Sequence, residues 1–250
     1  EDARAVPALI QTLGAADERV RQAAAWSLGV IEDPRAVSPL VARLKDRSPE
    51  VRAQAAEALG QIEDKGATAG LVGGLGDGSV QVRRAAAEAL GQIADAKAVS
   101  GLSRALKDRA PEVRLAAAEA LGEIGDPGAA QPLAEALSDG DAEVRRAAIE
   151  GLGELHEVSH APPQLIAALK DPDPETRTLA AEALGQLEDP AGVPALGAAL
   201  KDESVEVRRA AAEALSDIEA ESSTAFLIGA MKDPDAEVRR TATRALGDRE

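Results

Sequence analysis

The sequence has few of the side chains that catalytic and metal sites use. Its 250 residues include no Cys and no Tyr, and only one Trp, one Phe, one Met and two His. The absence of Cys excludes disulfides and Cys-based zinc sites, and the shortage of His removes most candidate general bases. With aromatic residues at only 1%, the core must be built from Ala, Leu, Val and Ile. This composition favours a thin core over a thick globular interior.

The charge balance is acidic. Lys and Arg number 28 against 44 Asp and Glu, which gives a formal net charge of −16. Binding to nucleic acid is disfavoured, because phosphate contacts would have to overcome that charge. No apolar run approaches the ~18 residues that a membrane span needs, and no secretory signal is visible. We expect no membrane contact by this segment; its localisation is open, with the cytoplasm favoured.

A repeat with a period of 31 residues organises the chain. Seven blocks of 31 residues and one of 32 account, together with Glu1, for all 250 residues. We predict a single repeat domain with eight blocks: residues 2–32, 33–63, 64–94, 95–125, 126–156, 157–188, 189–219 and 220–250.

Each block has the pattern of two short helices. In the second block, Asp33-Pro34 predicts one helix start and Ser48-Pro49 the next. The cap residue of the second helix is Asp or Ser in every block except the fourth, which has Ala110. The apolar residues of the second block form two stripes, Val37, Leu40, Val41 and Leu44, then Val51, Ala55, Ala58, Leu59 and Ile62. Because so short a hairpin cannot bury its face alone, we predict an all-α solenoid of stacked hairpins.

The strings DPRAV, LKD and EVRxAAAEALGxI carry a resemblance to a known family. They resemble HEAT-like repeats of the short bacterial type, which occur in phycobiliprotein lyases and are copied in artificial alpha-rep scaffolds. The resemblance covers all eight blocks. It implies that the second helices line a concave face, and that an Arg and an Asp in each block brace neighbouring turns.

We call these braces the ladder. The ladder arginines are Arg21, Arg52, Arg83, Arg114, Arg145, Arg177, Arg208 and Arg239, and the ladder aspartates are Asp46, Asp77, Asp108, Asp139, Asp171, Asp202 and Asp233. The first block has Ala15 instead. Their regular spacing is therefore interpreted as structural and not as a phosphate-binding stripe.

A line of carboxylates is predicted on the exposed face of the second helices, five residues after each ladder Arg. Six consecutive blocks have Glu at this place, namely Glu57, Glu88, Glu119, Glu150, Glu182 and Glu213. The first block has Trp26 there and the last has Arg244. Gln61, Gln92, Glu123, Glu154, Gln186 and Asp217 lie one turn further along. One interpretation is a solvated face of good helix formers. The other is an acidic groove that attracts a basic protein or peptide.

Four residues before this line, three blocks carry an Arg that could pair with the Glu of its own helix. These are Arg84, Arg146 and Arg209, whereas other blocks have Ala53, Leu115 or Thr178. The predicted partner-binding residues are Gln22, Trp26, Val30, Glu57, Arg84, Glu88, Leu115, Glu119, Arg146, Glu150, Glu182 and Glu213.

The two ends of the chain differ from the middle. Gln22, Trp26 and Val30 form an exposed face in the first block, which is a candidate hot spot for binding. Alternatively, further repeats or a domain N-terminal to Glu1 cover it. At the other end, Thr241, Thr243, Arg244 and Arg249 suggest a polar cap.

Two places interrupt the repeat. Gly66, Gly70, Gly73, Gly74 and Gly76 lie in or beside the first helix of the third block, which predicts a weak helix or a hinge. His156 and His160 form an HExxH string, the pattern of helical zinc sites. Because His156 is expected to end one helix and Pro162-Pro163 follow, we interpret this string as chance and expect no metal and no cofactor.

The function predicted is a non-catalytic scaffold that binds a protein or peptide, with a basic one favoured. An alternative is a regulatory or sensor segment of a larger protein, such as an enzyme. A phycobiliprotein-lyase-like subunit or a DNA-binding relative of HEAT-like glycosylases is less favoured. Deoxyhypusine hydroxylase has similar repeats with His-Glu metal ligands directly after the ladder Arg, but no block here has His-Glu at that place.

Overall fold

The computed structural model describes residues 3–155, 160–218 and 220–247. Within these ranges the secondary structure is helical, without strands, so the predicted all-α class is confirmed. The chain divides into two compact units, Glu1–Pro132 and Leu133–Glu250. The single-domain organisation that the repeats indicate stays a prediction.

The first unit contains four helix pairs. Each pair has a short first helix and a longer second helix, and the second helices pack against one another in chain order. The helices are α1 (Val6–Thr12), α2 (Glu18–Ile31), α3 (Val37–Arg43), α4 (Pro49–Ile62), α5 (Thr68–Gly74), α6 (Val80–Ile93), α7 (Val99–Ala105) and α8 (Pro111–Ile124).

The second unit repeats this arrangement, and α9 spans the boundary between the units. Its second helices again pack side by side in chain order. The helices are α9 (Ala130–Ala136), α10 (Ala142–Gly153), α11 (Pro163–Ala168), α12 (Pro174–Gln186), α13 (Val193–Ala199), α14 (Val205–Asp217), α15 (Thr224–Ala230) and α16 (Ala236–Gly247). Stacked helix pairs of this kind form an α-solenoid.

The first helices begin later than the sequence predicts. Asp33 caps a three-residue 3-10 turn, Pro34–Ala36, by accepting the Arg35 N–H at 2.9 Å, and α3 follows only at Val37. Similar 3-10 turns precede α1, α5, α7, α9, α13 and α15. A tight turn lets the chain change direction between a second helix and the next first helix within a few residues.

The second helices begin where the cap residues predict, but not every cap makes the expected hydrogen bond. Asp17, Asp141 and Asp173 each accept a backbone N–H of the first helical turn. The side chains of Ser79 and Ser204 accept none, and Ser204 instead donates to Glu206 at 2.6 Å. The ladder aspartates fix these loops, because each accepts the N–H of the cap residue two positions later at 2.8–3.0 Å.

The core of each unit is a thin layer between first and second helices. One fully buried Leu recurs in the second helices, including Leu28, Leu59, Leu90 and Leu121, and burial of such a side chain contributes about 1.5–3 kcal/mol. Ile62 and Val41, predicted as buried, are half-buried because they lie at the edges of their stripes.

Glycine allows the second helices to approach closely. A Cβ added to Gly29 would lie 2.9 Å from Cα of Ala58, and one on Gly60 would lie 3.0 Å from Cα of Ala89. Since backbone atoms cannot move aside as side-chain ends can, this explains why Gly follows the buried Leu in these helices.

Candidate binding surface on the second helices

The ladder is formed within each unit as the resemblance implied. Arg83 illustrates it: Nε and Nη2 donate to Asp108 of the next block at 2.7 and 2.9 Å, and Nη1 donates to the Asp77 carbonyl at 2.9 Å. Equivalent pairs join Arg21 to Asp46, Arg52 to Asp77, Arg145 to Asp171, Arg177 to Asp202, and Arg208 to Asp233. Because these six guanidinium groups are used in this way, the ladder does not offer them to a ligand.

The ladder lowers the pKa of its carboxyl groups. Hydrogen bonds from Arg83 are the largest cause of the lowered pKa of Asp108, and they outweigh the opposing effect of burial. At Asp46, burial alone would raise the pKa, but hydrogen bonds from Arg21 and the Ser48 N–H lower it overall. Both carboxyl groups are therefore charged at neutral pH and stabilise the native state.

The predicted line of carboxylates lies on the solvent-exposed face of the second helices. We describe it as two rows, one in each unit. The first carboxylate row is Glu57, Glu88 and Glu119 in the first unit, and the second carboxylate row is Glu150, Glu182 and Glu213 in the second unit. All six reach solvent, with Glu88 the least exposed. In each helix the Glu stands between two buried residues, Ile149 and Gly151 beside Glu150 and two Ala beside each of the others, which fixes the direction of the face.

Carboxylates in the first unit act on one another. Partial burial raises the pKa of Glu57, and the negative charge of Glu88 raises it further. Glu123, one turn beyond Glu119, also has a raised pKa, first from partial burial and then from the charge of Glu88. Partial burial is the larger cause for both groups, and the charge of Glu88 adds to it.

The second carboxylate row shows the same effect. Partial burial, followed by repulsion from Glu213, raises the pKa of Glu182. A shallow depression lies between α10 and α12, with Glu150, Glu154, Glu182 and Gln186 around it and Leu179 among its lining. A depression in which three carboxylates lie beside Leu179 suits a Lys or Arg side chain, whose aliphatic part and charged end have opposite preferences.

Two of the three predicted pairs within one helix are wrong. Arg84 does lie 3.4 Å from Glu88. Arg146, however, contacts Glu143, Asp173 at 2.9 Å and Glu175 at 2.8 Å, and Arg209 contacts Asp235 at 2.7 Å. The cap aspartates of the following block thus attract these arginines away from Glu150 and Glu213. Neither Glu150 nor Glu213 has an ion-pair partner in the part of the chain that the structure describes.

The remaining predicted site residues are placed as follows. Trp26 is 54% exposed, at the position in α2 that Glu57 occupies in α4. Gln22 and Val30, one turn to either side of it, are half-buried, as is Leu115 on α8. The structure therefore presents the indole of Trp26 as the accessible part of the first block's face.

The HExxH string falls at the junction of α10 and α11. His156 lies outside the described residues, but α10 ends at Gly153, earlier than the sequence predicted. His160 is exposed, with Nδ1 3.8 Å from Asp189. Across residues 3–155, 160–218 and 220–247, no three His, Asp or Glu side chains are grouped so that they could hold a metal ion.

The family follows from comparison with known sequences. A model described as HEAT repeats matches residues 6–81, 68–153 and 162–247. The chain belongs to the HEAT-repeat family. A PBS lyase HEAT-like repeat also matches residues 144–171. A comparison with curated protein sequences found no significant match.

Solved structures share the fold. The structure of an engineered protein has 25% sequence identity to this chain and a TM-score of 0.65. The alignment covers 98% of this chain and 80% of the engineered protein. YibA from Escherichia coli is 23% identical with a TM-score of 0.68, covering 97% of this chain and 92% of its own. The CpcE–CpcF complex of phycocyanin lyase from Nostoc sp. PCC7120 is 24% identical with a TM-score of 0.56, covering 98% and 94%.

These likenesses support a repeat scaffold. At such identities YibA and the lyase complex show the fold alone. Within the described helices of this HEAT-repeat chain, none is both long and apolar enough to cross a bilayer.

Proposed function

We propose that the chain is a non-catalytic scaffold that binds a basic protein or peptide along the carboxylate rows of its second helices. The observation that carries the proposal is the uncompensated charge of the second carboxylate row. The arginines that could have neutralised Glu150 and Glu213 are instead bound to the next block's cap aspartates, Asp173 and Asp235. The row is left with its charge available to a partner.

Electrostatics favours a cationic partner for both rows. The raised pKa values of Glu57 and Glu182 show that each carboxylate is destabilised by partial burial and by a neighbouring Glu. A Lys or Arg placed between two such groups relieves that repulsion. Charge complementarity of this kind increases the association rate and selects against acidic partners.

Trp26 gives the first unit an apolar contact in line with the charges. An exposed aromatic residue is a frequent energetic centre of protein interfaces, and an indole face also attracts cations. The ligand class that fits is therefore a basic segment. One of its residues, apolar or cationic, packs on the indole of Trp26.

Charge reversal tests the second carboxylate row. The variant Glu150→Lys, Glu182→Lys and Glu213→Lys is compared with a control that changes the net charge equally, Glu32→Lys, Glu63→Lys and Glu188→Lys. The control positions are exposed left-handed residues that follow second helices. Fluorescence anisotropy with a labelled Lys-Ala peptide, and with a Glu-Ala peptide, measures affinity at low and high salt.

We expect the row variant to lose affinity for the Lys-Ala peptide several-fold more than the control does, together with most of the salt dependence. Equal losses in the two variants would mean that only net charge matters and would remove the assignment. Because Trp26 is the only Trp in the chain, quenching of its fluorescence reports separately on binding to the first unit.

A further inference from the structure

The last helix pair leaves an apolar surface open. Ile228 is 54% exposed and Met231, which directly follows α15, is 41% exposed. They are two of the few large apolar side chains that are exposed in the described part of the chain. Of the residues that predicted a polar cap at this end, Thr243 and Arg244 are exposed, Thr241 is buried and Arg249 lies outside the described residues, so this end is polar only in part.

The same positions are packing positions in earlier blocks. Val41 and Leu44 stand eight and eleven residues after the start of the second block, as Ile228 and Met231 do in the last. Val41 and Leu44 face Gly70 of the following first helix: a Cβ there would lie 3.1 Å from each. Val72 and Leu75 face Gly101 of the next block in the same way, at 3.1 and 3.3 Å. Ile228 and Met231 thus occupy the surface on which a following first helix packs.

Among the described residues, Arg239 has no aspartate partner of the kind that the other ladder pairs provide. Arg239 donates to the carbonyl groups of Asp233 and Pro234 through Nη1, as the other ladder arginines bond their own loops. Arg208 additionally binds Asp233 of the next block, whereas no described carboxylate lies against Nε and Nη2 of Arg239.

The neighbouring Arg240 lacks its second partner too. Arg146 and Arg209, which hold the same place in their blocks, bind the cap aspartates Asp173 and Asp235 of the blocks that follow. Arg240 pairs within the described residues only with Glu237 of its own helix and is 75% exposed.

We propose that Ile228, Met231, Arg239 and Arg240 form a docking surface for a helical hairpin of the same repeat type, whose turn supplies an Asp-x-Asp sequence. The interfaces already present define this chemistry, because Asp171-Pro172-Asp173 and Asp233-Pro234-Asp235 present two carboxylates to consecutive arginines. The partner's first helix carries a small residue opposite Ile228 and Met231. This surface is independent of the carboxylate rows and of the proposed binding of a basic peptide.

Extension of the full chain tests the proposal. A ninth block is appended after Glu250 as a copy of residues 64–94, with Asp in place of the cap Ser, so that its turn reads Asp-Gly-Asp. The control block has Ala at both Asp positions. Neither block contains Met, so that Met231 remains the single Met of the chain. Its oxidation by dilute peroxide, followed by mass spectrometry, measures its accessibility.

We expect the Asp-Gly-Asp block to slow oxidation of Met231 several-fold and to raise Tm, with smaller effects from the control block. Ile228→Lys in the extended chain should restore fast oxidation. Unchanged oxidation overturns the proposal, and so does a ninth block that stays unfolded by circular dichroism, since a lone hairpin needs this surface to fold. Protection of Met231 in the unextended chain that increases with protein concentration would identify a second copy as the occupant, and would overturn the assignment to a separate hairpin.

Discussion

Arg209 binds Asp235 across a block boundary, with Nε and Nη2 2.9 and 2.7 Å from its two carboxylate oxygens. The same Asp235 caps α16 by accepting the N–H groups of Glu237 and Val238 at 3.0 and 3.2 Å. Hydrogen bonds from Arg209, the largest cause, lower the pKa of Asp235 far below its ordinary value. One side chain thus stabilises a helix start and joins two neighbouring blocks.

Replacing Asp235 should lower the free energy of unfolding more than replacing its partner Arg209. Arg209→Ala removes an ion pair at the surface, so we expect only a small loss in the free energy of unfolding. Asp235→Ala also removes the cap of α16 and should therefore cause a larger loss. Urea unfolding of the single and double variants measures both. Arg84→Ala is the control, because the fourth block has Ala110 and no cap carboxylate; a loss equal to that of Arg209→Ala would contradict the interpretation.

Ala110 marks the block where the second brace is absent. It occupies the N-cap position of α8 in an extended conformation, without a side-chain hydrogen bond to the helix. In Ala110→Asp the new carboxylate can cap α8 as Asp173 caps α12, and it can accept from Arg84. We expect a gain of about 0.5–2 kcal/mol in the free energy of unfolding.

Ala110→Ser is the matched control for this variant. The side chains of Ser79 and Ser204 accept no backbone N–H of their helices, so that Ser should stabilise less than Asp. Arg84→Ala in the Ala110→Asp background should remove part of the gain. If Asp and Ser at this position give equal stability, the cap and the pair with Arg84 contribute nothing measurable.

The repeat, the helix pairs and the ladder could be predicted because their residues recur at the same places in all eight blocks, or in seven for the ladder aspartates. The partners of Arg146 and Arg209 could not be predicted from a helical wheel, which compares residues of one helix only. Asp173 lies 27 residues beyond Arg146, and Asp235 lies 26 residues beyond Arg209. The signal was present all the same: a cap Asp follows one block later at both positions, and Ala110 follows Arg84.

Other misses have local causes. The 3-10 turns before the first helices and the early end of α10 at Gly153 depend on how the chain reverses direction at block junctions, which a period of 31 residues does not specify. Ser79 and Ser204 stand at cap positions, yet the ladder Asp already fixes the backbone there. Cap propensity alone therefore overestimated the role of the hydroxyl groups.

The Gly-rich helix α5 is the one that the sequence predicts to be weak, and glycine variants can test this. It is a helix of seven residues, the same length as α3 and α7. A Cβ at Gly73 meets nothing within 4 Å, so Gly73→Ala should gain up to about 1 kcal/mol. Gly70→Ala is the matched variant, since its Cβ would press on Val41 and Leu44 at 3.1 Å and should gain less or lose stability.

Thermal unfolding compares the two glycine variants, and amide hydrogen exchange compares α5 with α7 in the unchanged chain. We expect faster exchange in α5, which Gly73→Ala should reduce. Equal protection of α5 and α7 would contradict a hinge in the third block.

The ladder predicts loss of stability in acid. Hydrogen bonds from Arg83 lower the pKa of Asp108 in the folded state relative to its ordinary value of about 3.9. A depressed carboxyl pKa contributes stability that is fully present above the unfolded-state pKa and disappears as the pH falls through the folded-state pKa. Asp108→Asn should therefore lower the free energy of unfolding by roughly 1–3 kcal/mol at neutral pH.

Urea unfolding at a series of pH values measures the difference between the unchanged chain and Asp108→Asn. We expect this difference to be constant near neutral pH and to shrink below about pH 4, as the carboxyl group becomes protonated. Asp217→Asn, at an exposed carboxylate outside the ladder, should change stability little at any pH. Were the difference to persist undiminished well into acid, the Arg83–Asp108 pair would be acting through hydrogen-bond geometry and not through charge.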